Sequence, residues 1–116
     1  MLTTFNEIDM TRVKELRSRF QNDFKARHGI SLGIMSFFIE ACVTALQEFP
    51  EANGWIEGDE IVYHNYCNIG VAVGAEKGLV VPVIRNAGDL NVPGLARRIA
   101  DLAERARDSS LTPDDA

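Results

Sequence analysis

The side chains best equipped for chemistry in this chain of 116 residues are two histidines, His28 and His64, and two cysteines, Cys42 and Cys67. A histidine can give or take a proton near neutral pH, and a cysteine thiolate can attack a carbonyl or bind a metal. Their surroundings do not assemble that chemistry. His28 ends a helical pattern just before Gly29, where the negative end of the helix dipole favours a cation, so it reads as a capping residue. His64 sits in a strand pattern between Tyr63 and Asn65, and reads either as a base or ligand or as a partner in an interstrand hydrogen bond. Cys42 and Cys67 lack Cys-x-x-Cys spacing and read as reduced thiols in a reducing compartment. No His/Cys/Asp/Glu cluster has metal-ligand spacing, and no serine stands in a Gly-x-Ser-x-Gly elbow. Gly70, Gly74 and Gly78 fit neither the dinucleotide fingerprint nor the phosphate loop, because their run is strand-like. Glu57, Asp59 and Glu60 read as a solvated turn tip. Residue chemistry alone yields no complete active site.

The elements that would position these residues are legible from periodicity. Leu2 to Ile8 has the alternation of a short strand, and Asp9 is placed to cap the helix that follows. In that helix Val13, Leu16, Phe20 and Phe24 recur at steps of three and four, which predicts one buried stripe ending at Gly29. A second helix is expected from near Ser31 to Phe49-Pro50. Its polar stripe of Ser36, Glu40, Thr44, Gln47 and Glu48 is narrow, so it reads as a core element surrounded by protein. Trp55-Ile56 and Glu60 to Tyr66 read as strands about a Gly58-Asp59 turn. Asn91 caps a last helix with Leu95, Ile99 and Leu102 inward.

Residues 65–85 form the most informative stretch. Ile69, Val71 and Val73 face one way and Gly70, Ala72 and Gly74 the other, so this strand has one bulky and one nearly bare face. Ala75-Glu76-Lys77-Gly78 turns the chain back into Leu79 to Ile84, where Pro82 cannot donate to a ladder and is expected at an edge or bulge. The bare face invites close approach by a packed backbone or helix or by a slender ligand, and the place of Pro82 is where a sheet can meet a ligand or another subunit. Thr112-Pro113-Asp114-Asp115 has the signature of a helix start, read either as the beginning of further structure or as an acidic tail.

Length allows a single domain, residues 1–116, with one modest core. The net charge of −5 lacks the basic footprint of a nucleic-acid binder and makes an anionic membrane an unsuitable partner. The longest apolar-rich segment, near residues 34–46, is too short to span a bilayer, and no signal peptide is visible.

Taken in order, Leu2-Thr3-Thr4-Phe5-Asn6-Glu7, His28-Gly29, Met35-Ser36-Phe37-Phe38, Tyr63-His64-Asn65-Tyr66, Ile69-Gly70-Val71-Ala72-Val73, Gly78-Leu79-Val80-Val81-Pro82-Val83 and Ala106-Arg107-Asp108 resemble a known family. It is the catalytic domain of the acyltransferase core component of 2-oxo acid dehydrogenase complexes. Phe5-Asn6-Glu7, Met35-Ser36-Phe37-Phe38 and Tyr63-His64-Asn65-Tyr66 are closer to the succinyl-transferring branch than to the acetyl-transferring one.

The resemblance implies an α+β, two-layer fold like chloramphenicol acetyltransferase, a mixed sheet flanked by helices, of which this chain would be the N-terminal to central portion. It implies trimers that build a higher-order core, with coenzyme A as substrate and lipoyl-lysine arriving on a separate domain. The other dehydrogenase-complex components would be partners, no metal would be needed, and the setting would be the bacterial cytoplasm or, alternatively, the mitochondrial matrix. Arg17 matches a family arginine suited to the phosphates of coenzyme A, with a surface salt bridge as its other reading, and Met35, Ser36 and Phe37 match a segment at the channel wall, with core packing the alternative for Phe37. The family's Asp-His-Arg-x-x-Asp-Gly motif, which supplies the general base, has no match here. Neither does the Gly-Gly-x-Phe-Thr region, which brings the oxyanion-stabilising hydroxyl. The expectation is therefore no catalytic residue among these positions and no acyl transfer by them alone. A non-catalytic assembly module derived from the family, or an unrelated ligand-binding α+β domain, are the competing readings.

Overall fold

The hairpin over residues 69–84 organises the structure, a computed structural model that describes residues 2–116. Two antiparallel pieces share one register without slip. Ile69 lies opposite Ile84 and Gly70 opposite Val83, then Val73 opposite Val80, Gly74 opposite Leu79 and Ala75 opposite Gly78. We label the strands of this hairpin β3 (Ile69–Gly70), β4 (Val73–Ala75), β5 (Gly78–Val80) and β6 (Val83–Ile84). A shorter hairpin of β1 (Gly54–Glu57) and β2 (Glu60–Tyr63) precedes it, turning at Gly58, whose φ of 62° suits glycine. The strands form three two-stranded antiparallel ladders, with no parallel pair among the described residues, rather than the single mixed sheet the resemblance implies.

Directly opposite residues share a face, so the hairpin is two-sided. Ile69, Ile84, Val71 and Pro82 point inward, and Ile84 and Pro82 are fully buried. Pro82 lies at the break between the two ladders, on edge strands as expected, but it is buried in the core rather than open to a ligand or subunit. The inner face packs on α2 (Met35–Glu48) and α3 (Val92–Arg107) around Ile39, Val43, Cys67, Ile84, Leu95 and Leu102. Burying Ile84 and Leu95 contributes about 1.5–3 kcal/mol each. α3 begins as its sequence predicts: the Asn91 side-chain oxygen accepts from the Gly94 N–H at 2.9 Å.

α2 is less enclosed than its composition suggests. It starts at Met35 rather than near Ser31, and Ser36, Ile39 and Val43 form its buried line. Ser36 belongs to the interior, not to the solvated stripe, whereas Met35, Phe38 and Cys42 are exposed.

α1 (Thr11–His28) departs furthest from expectation. Its C-terminal stop is as predicted, whereas the N-cap position is taken by Met10, without a side-chain cap, and Asp9 lies one residue before it. Asp9 accepts from the Thr11 hydroxyl at 2.6 Å and its N–H at 3.0 Å, which holds the Asp9 carboxyl below the ordinary carboxylate range. Gly29 stops the helix at φ 71° and donates to the Lys25 carbonyl. Yet none of its residues is buried: Val13 and Phe24 are half-covered, and Leu16 and Phe20 are each 44% exposed. The apolar stripe exists, but no element of this chain packs broadly along it. A paired hydrogen bond ties α1 down, Gln21 Nε2 donating to the Leu32 carbonyl and Leu32 N–H to Gln21 Oε1. Residues 2–10 form no strand, with Phe5 93% exposed. Alternation alone cannot make a strand whose ladder has no partner, and none of the described residues pairs with this segment.

The consequence is a large surface. The chain exposes 8819 Å², where a compact monomer of its mass exposes about 6,300 Å². Its radius of gyration is 16.0 Å, against about 13 Å for a compact domain of this length.

Residues 112–115 take a short 3₁₀ turn closed by a reciprocal cap between Thr112 and Asp115. Arg105 pairs with the Asp115 carboxylate, and Arg85 donates to the Asp114 and Ala116 carbonyls.

Candidate functional site

Three surfaces have the makings of a site. The first is the start of α2. Ile34 lies at its N-cap without side-chain capping, and the first turn carries Met35, Ser36 and Phe37. Met35 is 45% exposed, Phe37 half-buried and Ser36 only 1% exposed, so Ser36 faces the interior while its neighbours reach the surface. Phe37 lines a shallow groove with Glu40, Ala41 and Val92. Arg17, half-buried midway along α1, lines neither that groove nor the cleft described below. These four positions are not gathered into one pocket.

The second surface is the outer face of the large hairpin, bare as its sequence predicts. Gly70, Ala72 and Gly74 are exposed, opposite Val83, Val81 and Leu79, and Leu79 is 72% exposed. A Cβ at Gly70 would stand 3.1 Å from Val81 Cγ1, whereas one at Gly74 would meet nothing within 4 Å. Among the described residues only the neighbouring Val81 side chain comes within 4 Å of a Cβ placed at either glycine.

The third is a polar cleft of about 310 Å³ between the end of α2, the segment after β2 and the turn at Asn86–Asp89. His64 forms one wall. Its Nδ1 lies 2.6 Å from the Asn53 carbonyl oxygen, and a carbonyl can only accept, so Nδ1 carries the proton and Nε2 of the neutral ring holds a lone pair. The ring is wedged edge-on against Trp55 at 4.6 Å and tilted on Tyr66 at 5.2 Å. Asn53 also donates through Nδ2 to the Tyr66 carbonyl at 2.8 Å, fixing both ends of the segment. Of the two uses foreseen for His64, the hydrogen bond is realised, but to a loop carbonyl rather than across strands. The part played by Asn53 was not foreseen; an Asn-Gly pair before a strand signals a turn, not a bond to a histidine eleven residues on. His28, in the last turn of α1, lies tilted against Phe24 with ring centroids 4.7 Å apart. Among the described residues no three His, Cys, Asp or Glu side chains are grouped to hold a metal, and no helix is long and apolar enough to cross a membrane.

Comparison with known proteins gives this geometry its context. Residues 1–116 match the family described as 2-oxoacid dehydrogenases acyltransferase (catalytic domain). A relative from Rickettsia bellii, the dihydrolipoyllysine-residue succinyltransferase component of 2-oxoglutarate dehydrogenase complex, is 49% identical over 112 residues, 97% of this chain. The chain spans only 28% of that relative's length. Among solved structures, a probable dihydrolipoamide acetyltransferase from Listeria monocytogenes superposes with a TM-score of 0.84 at 40% identity, over 93% of this chain and 46% of that one. The cubic core of a pyruvate dehydrogenase multienzyme complex superposes with a TM-score of 0.85 at 33% identity, over 92% of this chain and 44% of the other. The arrangement of α1–α3 and the two hairpins is therefore that of the acyltransferase catalytic core.

Proposed function

The chain belongs to the 2-oxoacid dehydrogenase acyltransferase family, catalytic domain, and we propose that it works as the N-terminal to central portion of a succinyltransferase of a 2-oxoglutarate dehydrogenase complex. The observation that carries this reading is the near-complete match to relatives named as that component, 49% identical in the first case. The reaction is a thioester exchange. One thiol loses its proton to a base and its sulfur attacks the succinyl carbonyl; the tetrahedral oxyanion collapses and expels the other thiol, which recovers a proton. Coenzyme A and dihydrolipoyl-lysine are the two thiols.

We assign neither the base nor the oxyanion donor to residues 1–116. His64 is bound to the Asn53 carbonyl and lies in a cleft away from the start of α2, and no Asp-His-Arg-x-x-Asp-Gly sequence is present. The contribution of this chain is recognition. Arg17 offers a planar guanidinium to the phosphates of coenzyme A, and Met35 and Phe37 offer a channel wall with Ser36 behind them. Assembly into trimers and a larger core is supported by the exposed stripe on α1 and by the likeness to a cubic-core subunit. The lipoyl domain and the other components of the complex are its further partners, in a reducing compartment of bacterial cytoplasmic or mitochondrial type.

Calorimetric titration with coenzyme A tests the assignment. Arg17→Ala should weaken binding about tenfold, the loss expected of one charge-assisted phosphate contact. Unchanged affinity in the variant removes Arg17 from the site, and no binding by either protein removes coenzyme A recognition from this segment.

A further inference from the structure

The cleft beside His64 is unused by the acyl-transfer reading, yet its polar groups converge on one kind of ligand. Its volume of about 310 Å³ falls at the small end of the range for small-molecule sites. The one charged side chain of its lining and the helix end beside it favour positive charge, and its carboxamides, which both donate and accept, are indifferent. Asp89 supplies the one carboxylate, no lysine or arginine lines the walls, and Leu46 and Gln47 belong to the last turn of α2, where the helix dipole is negative. His64 is locked with its proton on Nδ1, so its Nε2 offers an acceptor to an N–H donor. Tyr66 adds an aromatic surface to the lining, a surface type that attracts ammonium and guanidinium groups. Asn65 and Asn86 contribute amide oxygens able to accept from the same head group.

We propose that this cleft binds a small free organic cation, an alkylammonium or alkylguanidinium, through Asp89, the C-terminal end of α2 and the acceptor nitrogen of His64. The proposal does not depend on acyl transfer, since none of these groups has a place in that reaction.

The test is a titration of the isotope-labelled chain followed by NMR, with n-butylammonium, n-butylguanidinium and n-butyrate as separate probes at constant ionic strength. Saturable shifts clustered on Asn53, His64, Tyr66 and Asp89 are expected with the two cations and none with butyrate. Asp89→Asn, a change at an exposed side chain, should weaken the binding about fivefold, the worth of one partly solvated charge contact. Shifts that stay linear with concentration, that scatter over the acidic surface, or that butyrate reproduces would overturn the proposal, as would unchanged affinity in Asp89→Asn. A lysine-containing tripeptide separates the sources: binding tighter than n-butylammonium would assign the cleft to a protein side chain and overturn the free-cation reading.

Discussion

Val71 donates its backbone N–H to the Pro82 carbonyl at 3.0 Å, and Pro82 has no N–H to return. In an antiparallel pair every second set of opposed residues exchanges two such bonds. Val71 and Pro82 occupy one of those places, so the missing bond divides one continuous hairpin into two ladders. The register runs through the break unchanged, which makes Pro82 a local gap rather than the end of a sheet.

Replacing Pro82 by alanine should therefore close the gap. The new N–H points at the Val71 carbonyl, adding about 0.5–1.5 kcal/mol, while lost ring rigidity costs about 0.4–1 kcal/mol and two buried methylenes about 0.8 kcal/mol each. Net stability in urea should fall by about 1 kcal/mol. The informative signal is hydrogen exchange: the amide at position 82 should be protected like those of Val80 and Ile84, and free exchange there would contradict the account.

Much of this hairpin was legible in the sequence, and the reason is local. Alternation of Ile69, Val71 and Val73 with Gly70, Ala72 and Gly74 assigns the faces whatever lies beyond them. The Asn91 cap, the Gly29 stop and the inward Leu95 and Leu102 are local in the same sense. What sequence misjudged depended on neighbours. The α1 stripe was expected to be buried because amphipathic pattern reports what a helix is able to cover, not that this chain supplies the cover. Leu2 to Ile8 has strand alternation and no strand beside it. Ser36 reads as polar surface until α2 is seen to turn it inward. The His64 cleft joins Asn53, His64 and Asp89, and no spacing rule links those three.

Asp115 should titrate below the ordinary carboxylate range, chiefly because the Thr112 N–H donates to it, with the Thr112 hydroxyl and Arg105 adding to the effect. A carboxyl whose pKa is depressed in the folded state stabilises that state above the unfolded pKa, and the contribution is lost as pH falls through the folded value. The turn at 112–115 should loosen only in acid. Carbon-detected NMR titration of Arg105→Ala should raise the Asp115 midpoint part of the way back, because the backbone N–H remains. A complete return to the ordinary range would contradict that order of causes.

His64 should keep its proton on Nδ1 when neutral. Long-range nitrogen–proton correlation above pH 8 should show Nδ1 protonated and Nε2 bare. In Asn53→Ala the backbone carbonyl survives, so the tautomer should persist, while loss of the bond to the Tyr66 carbonyl should destabilise the chain by about 1 kcal/mol. A protonated Nε2 in the parent would exclude the hydrogen bond to Asn53 and remove the acceptor from the cleft.

The central claim, that these residues supply recognition and assembly to a succinyltransferase but not its base, is tested most directly by thiol release from succinyl-coenzyme A in the presence of dihydrolipoamide. Residues 1–116 should give no release above the uncatalysed rate with succinyl- or with acetyl-coenzyme A. Turnover clearly above that rate would contradict it.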